Sequence, residues 1–119
     1  MTFLKRTIQK QESELMNTYN NVNVEKLANI YFEGKVISRT ITFSDKTIKT
    51  LGVMLPGEYE FKTNSNELME IISGELSFQL EDETNWNTIK EGMSFNVPKD
   101  SSFKVKVSKT TNYSCSYFD

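Results

Sequence analysis

Four residues have the types and placement from which a reaction centre can be assembled: Glu67, Arg39, Lys35 and Tyr59. Side chains alternate along a strand, so Glu67 shares a face with Met69 and Ile71. That face puts a carboxyl among apolar neighbours. Its neutral form is then favoured and can donate a proton, whereas the ionised form would bind hydroxyl groups. A plainer reading leaves Glu67 as a satisfied carboxylate beside the turn Asn64-Ser65-Asn66. Arg39 shares a face with Ile37, Ile41 and Phe43, and Lys35 falls on the same face. If those apolar residues mark the interior, Arg39 points inward with them and meets an anion. Otherwise its head reaches water while its stem covers apolar surface, and Lys35 is a solvated strand end. Tyr59 either meets a ligand, by stacking or a hydrogen bond, or simply packs in the core. Tyr113 and Cys115 share a face of the last strand and read as core, since Cys115 has no evident activating partner.

The chain contains no histidine. Imidazole metal ligands, Ser-His and Cys-His nucleophile pairs and imidazole bases are therefore all excluded. One cysteine cannot furnish the ligands of a thiolate zinc site, nor can it form an internal disulfide. No resident cofactor is expected. Catalysis must use carboxylates, lysine, arginine, tyrosine or hydroxyls. The net charge of −2 carries no footprint for nucleic acid. No apolar run approaches the ~20 residues of a membrane span, and residues 1–10 lack the apolar centre of a signal peptide. A cytoplasmic soluble protein is expected.

Short strands separated by turn residues must position these side chains. At 119 residues the chain suits one domain, with eight Phe, five Tyr and one Trp to fill its core. Strands are predicted at 34–43, 47–55 and 58–63, then at 67–72 and 75–81 with Ser73-Gly74 as the turn between them. Another runs over 94–97 and stops at Pro98. Phe103, Val105 and Val107 alternate with Lys104 and Lys106, and Tyr113, Cys115 and Tyr117 share a face of the last strand. Such repetition points to an all-β sandwich or barrel. Leu27, Ala28 and Ile30 form an apolar cluster leading into the first long strand. Residues 1–23 read as a polar extension, helical over 7–18 or disordered, and residues 24–119 as the folded domain. Leu68 and Ile72 stand on the opposite face of their strand from Met69 and Ile71. Two apolar faces on one strand suggest that the outer one meets a second copy in a homodimer.

Glu67 with Gly74 fits the Glu-x6-Gly end of the first cupin motif, and Gly92 with Pro98 fits the Gly-x5-Pro start of the second. The core therefore resembles a cupin, a double-stranded β-helix or jelly-roll barrel. Its metal-binding histidines are missing, and Phe103 stands where the second motif would place one. The strings Tyr31-Phe32, Gly34-Lys35-Val36, Gly52-Val53-Met54, Gly57-Glu58-Tyr59, Ile72-Ser73-Gly74 and Ser94-Phe95-Asn96-Val97-Pro98 carry a narrower likeness. They resemble the pyrimidine/purine nucleoside phosphorylase family, small single-domain cupins, over residues 24–118. Lys99 departs from the glycine that follows this proline in such proteins.

The resemblance implies phosphorolysis: a nucleoside and inorganic phosphate give a free base and a pentose 1-phosphate, with purine and pyrimidine substrates both accepted and no metal needed. Under that reading Glu67 serves as proton donor or ribose anchor. Arg39 with Lys35 clamps phosphate, and Tyr59 stacks on the base or donates a hydrogen bond. A non-catalytic cupin that binds a small sugar or nucleotide is the alternative.

Overall fold

In a computed structural model that describes residues 17–119, alternation of apolar and polar residues yields nine antiparallel strands. The helix expected over residues 7–18 falls, but for its last two residues, outside the described residues. The strands are β1 (Asn23–Val24), β2 (Asn29–Tyr31), β3 (Val36–Thr42), β4 (Ile48–Met54), β5 (Gly57–Lys62), β6 (Asn66–Leu80), β7 (Asn87–Lys90), β8 (Ser94–Val97) and β9 (Ser102–Phe118). The architecture is the all-β, cupin-type jelly roll expected from the motifs. No helix among the described residues is long and apolar enough to cross a membrane.

β6 and β9 pair with each other along almost their whole length and serve two layers in turn. The first half of β6 and the second half of β9 lie in one layer with β8, β4 and β3, and β1 and β2 border β3. The second half of β6 and the first half of β9 lie in the other layer, flanked by β7 and β5. The register slips between Ile71 and Leu76, where the ladder bends from one layer to the other. Gly74 takes φ +98° there, and a Cβ on it would stand 2.5 Å from the Thr110 carbonyl oxygen. Ser73-Gly74 thus bends one long strand, rather than turning between two separate strands as expected. Thr111, fully buried beside it, accepts the Glu75 amide at 3.2 Å and donates to the Lys109 carbonyl at 2.8 Å.

The predicted inward faces of β5, β6 and β9 are the buried ones. Tyr59, Met69, Ile71, Phe103, Val105, Val107, Tyr113 and Cys115 all lie in the core. Phe78 stacks on Phe95 at 3.9 Å between ring centroids, and Phe95 meets Phe103 edge-on at 5.9 Å. Such aromatic pairs add about 0.5–1.5 kcal/mol each beyond their area burial.

The inward reading of Ile37 and Arg39 is corrected. β3 buries Val36 and Ser38, so Ile37 and Arg39 face outward instead of inward. The apolar cluster ahead of β3 leads into it through β2, with Leu27 and Ile30 both exposed. The loop after Pro98 is tied down in spite of its Lys99. The Lys99 amide donates to Asn66 Oδ1 at 3.0 Å, and the Asp100 amide donates to the Thr63 carbonyl at 3.1 Å.

Gly74→Ala is expected to cost about 2–4 kcal/mol, combining a left-handed backbone with a clash against Thr110. Urea unfolding followed by circular dichroism measures it. A loss under ~0.5 kcal/mol, the range of ordinary surface changes, would show that the bend does not need glycine.

Candidate functional site

Between the layers lies a cavity of about 410 Å³, within the range of small-molecule sites. Its polar part is assembled by register. Glu67 on β6 faces Tyr117 on β9, and Met69 faces Cys115. On the other side of β9, Thr50 pairs with Cys115 and Gly52 with Tyr113. A Cβ on Gly52 would stand 2.8 Å from the Ser38 Cβ and 2.9 Å from the Tyr113 ring. The glycine therefore lets the Tyr113 ring lie against the Ser38 side chain. The Cys115 thiol donates to Glu67 Oε1 at 3.4 Å, and the Tyr117 and Thr50 hydroxyls pair at 3.0 Å.

Burial sets the protonation of this cluster. Glu67, half-buried, is held above the usual carboxylate range by desolvation, partly offset by the Cys115 thiol. Cys115 is itself pushed up by burial and by the nearby Glu67 charge. Tyr113 rises to about 12 and Tyr117 also rises, in both cases chiefly through desolvation. At neutral pH the thiol and both phenols are therefore neutral hydrogen-bonding groups, and Cys115 is no thiolate nucleophile. Glu67 is the member of the cluster suited to exchange a proton.

The opposite wall is aromatic. Phe61 stacks on Phe103 at 5.3 Å, and Phe32 meets Phe61 edge-on at 5.4 Å. Phe103, at the position where the cupin pattern would place a histidine, gives the cavity a ring in place of an imidazole. Phe32 reaches this wall on a left-handed turn: Phe32, Glu33 and Gly34 have φ of +52°, +56° and +90°. Left-handed backbone at a residue with a Cβ costs about 1–2 kcal/mol. Among the described residues Lys62 is the one lysine or arginine on the lining, exposed at the end of β5, with Asn64 and Ser65 following it.

Of the four residues singled out from sequence, Glu67 lines the cavity. Tyr59 is buried behind the aromatic wall, 4.9 Å from the Phe32 ring, and its hydroxyl donates to the Leu55 carbonyl at 2.6 Å. Its position is a packing one. Arg39 lies on the outer face opposite Leu51, and its guanidinium donates to the Lys26 carbonyl. Lys35 is exposed and does not line the cavity either. Neither cation meets Glu67. Sequence reasoning missed Lys62, Phe32, Ser38 and Thr50, and it assigned Tyr113 and Cys115 to the core alone. The shared parity of Tyr113, Cys115 and Tyr117 was a legible signal. What it lacked was the knowledge that Glu67 stands across the ladder.

A sequence model of the pyrimidine/purine nucleoside phosphorylase family matches residues 26–117. A pyrimidine/purine nucleoside phosphorylase of Sulfurovum sp. (strain NBC37-1) is 58% identical over 102 residues, covering 86% of this chain and 99% of its own length. Its counterpart in Chlorobium chlorochromatii (strain CaD3) is 55% identical, with coverage of 86% and 98%. Among solved structures, a protein of unknown function from Acinetobacter sp. ADP1 superposes with a TM-score of 0.83 at 41% identity, over 85% of this chain and 98% of that one.

Glu67→Gln should alter the dependence of stability on pH in a defined direction. The native carboxyl is raised above its unfolded value. Its favourable contribution is thus fully present below the unfolded pKa and is lost as pH rises through the folded one. The variant is expected to gain stability relative to the parent from acid toward neutral pH. Thermal melts between pH 4 and pH 7, flanking the ~4.3 of an ordinary glutamate, would show it. Parallel curves for the two proteins would mean that Glu67 is ordinarily solvated.

Proposed function

Because the chain belongs to the pyrimidine/purine nucleoside phosphorylase family, we propose that it cleaves purine and pyrimidine nucleosides with inorganic phosphate, giving a free base and pentose 1-phosphate. The observation that carries the reading is a half-buried Glu67 sharing one cavity with neutral hydroxyls and an aromatic wall. Breaking the glycosidic bond builds positive charge on the sugar and negative charge on the departing base. Protonated Glu67 gives its proton to the base as the bond to nitrogen breaks. A phosphate oxygen forms the new bond to the sugar carbon, and the proton of hydrogen phosphate restores the carboxyl. Tyr113, Tyr117, Thr50 and Ser38 supply hydrogen bonds to the pentose hydroxyls. Lys62, with Asn64 and Ser65, takes over the phosphate-holding role first sought at Arg39 and Lys35. The reaction runs without a metal in this proposal. The chain has no histidine, and among the described residues no three Cys, Asp or Glu side chains gather as ligands.

The protein also acts as a homodimer in the cytoplasm under this reading. The outer face of the first layer leaves Ile37, Leu51 and Ile72 exposed by 40%, 38% and 46%. Lys49 and Glu70 form an ion pair at 3.7 Å on the same face. Apolar residues ringed by charge suit a self-complementary contact between two copies. Ile72→Glu is expected to convert the dimer to a monomer in light scattering, and a parent that is itself monomeric would refute the contact.

Purified protein given inosine or uridine, with and without phosphate, tests the activity. Phosphate-dependent release of free base is expected. Release without phosphate would mean hydrolysis, and tight binding without release would make this a binding module. Glu67→Gln should lower kcat about 10²–10⁴-fold, the usual yield of general acid catalysis. It should also abolish the fall in rate as pH rises through the raised Glu67 pKa. Lys62→Ala should raise the phosphate KM about tenfold or more, as loss of a charge-assisted hydrogen bond does.

A further inference from the structure

We propose that Phe32 is the platform against which the nucleobase lies, and that it makes the site tolerant of both base classes. The inference rests on the phosphorylase reading and locates its base subsite. Stacking on the base was sought at Tyr59, but that ring is 5% exposed with its hydroxyl held by the Leu55 carbonyl. Phe32 stands in front of it, 40% exposed, and lines the cavity. Its ring rests on Tyr59 at 4.9 Å and edge-on against Phe61 at 5.4 Å, so two neighbours fix its plane.

The backbone beneath this ring is unusual. A bulky residue rarely adopts positive φ, yet Phe32 and Glu33 both do, at +52° and +56°. Left-handed non-glycine residues concentrate at ligand clamps, where surrounding bonds over-determine them. Here the Lys35 amide donates to the Phe32 carbonyl at 3.2 Å, and the Leu55 amide donates to the Lys35 carbonyl at 2.8 Å. The turn is thereby tied to the end of β4. A solvent-exposed phenyl does not by itself justify such a backbone; a ring held in place for a ligand does. Every base offers a π-face, so stacking is tolerant of base identity. The aromatic wall formed by Phe32, Phe61 and Phe103 offers no side-chain donor or acceptor to the base edge.

Steady-state kinetics with inosine and uridine test the platform. Phe32→Ala should raise KM for both nucleosides about tenfold or more, the usual effect of removing one stacking ring. The phosphate KM should stay within about twofold, since only nucleoside binding is lost. Phe32→Tyr should retain the parent values, whereas Phe32→Leu, which keeps bulk without a π-face, should behave like the alanine variant. Inhibition by free hypoxanthine or uracil should weaken in step, and inhibition by ribose 1-phosphate should not. Should Phe32→Ala fail to fold, Phe32→Leu carries the comparison. An unchanged nucleoside KM in the leucine variant, or an equal rise for phosphate, would overturn the assignment. If the parent itself shows no phosphate-dependent release, the phosphorylase reading fails separately. Calorimetric binding of the free bases to parent and Phe32→Leu then decides the platform alone.

Discussion

The bend shared by β6 and β9 is the constraint on which the site depends. Each strand is long enough to span both layers, and neither could do so as a flat ribbon. Gly74 admits the Thr110 carbonyl at a distance no Cβ would tolerate, and buried Thr111 completes the local hydrogen bonding. Because the two strands bend together, the residues before Gly74 face those after Thr111 across one ladder. That ladder sets Glu67 opposite Tyr117, two pairs along from Cys115 and on the same face. The remaining strands cover its sides.

The chemistry follows from how this ladder is buried. A carboxyl with one side toward the interior and the other toward a cavity is neither fully solvated nor paired with a cation. Arginine beside it would have favoured its anion; Arg39 instead bonds a backbone carbonyl on the far face of the sheet. The thiol and phenols around Glu67 are too strongly desolvated to ionise, so they can only donate or accept hydrogen bonds. Within this cluster Glu67 is thereby the group suited to exchange a proton. The missing imidazole matters for the same reason. Phe103, where the resemblance to cupins would place a histidine, is an apolar ring that joins the wall opposite.

Polar and aromatic walls have different structural origins. The polar wall is built on central strands, where the close approach at Gly52 sets Tyr113 against Ser38. The aromatic wall combines strand residues Phe61 and Phe103 with Phe32 on a left-handed turn. Hydroxyls on one side and a tethered ring on the other match the polar sugar and flat base of the proposed substrate.

Alternation along β5, β9 and the second half of β6 settled their inward faces from the sequence alone, because one face of each is apolar and the other is predominantly polar or charged. The same rule misled on β3. Apolar residues occupy both of its faces, with Val36 on one and Ile37 on the other, so parity is degenerate and left the side of Arg39 open between the interior and the surface. Composition was enough to exclude histidine chemistry, since a chain without imidazole cannot acquire it by folding. What only the tertiary structure decided is which groups meet. Lys62, Phe32, Ser38, Thr50 and Tyr117 come from five separate elements, and their convergence depends on cross-strand register and a shared bend. Neither leaves a periodic trace in the chain, because a local pattern records which way a side chain points and not what stands opposite it.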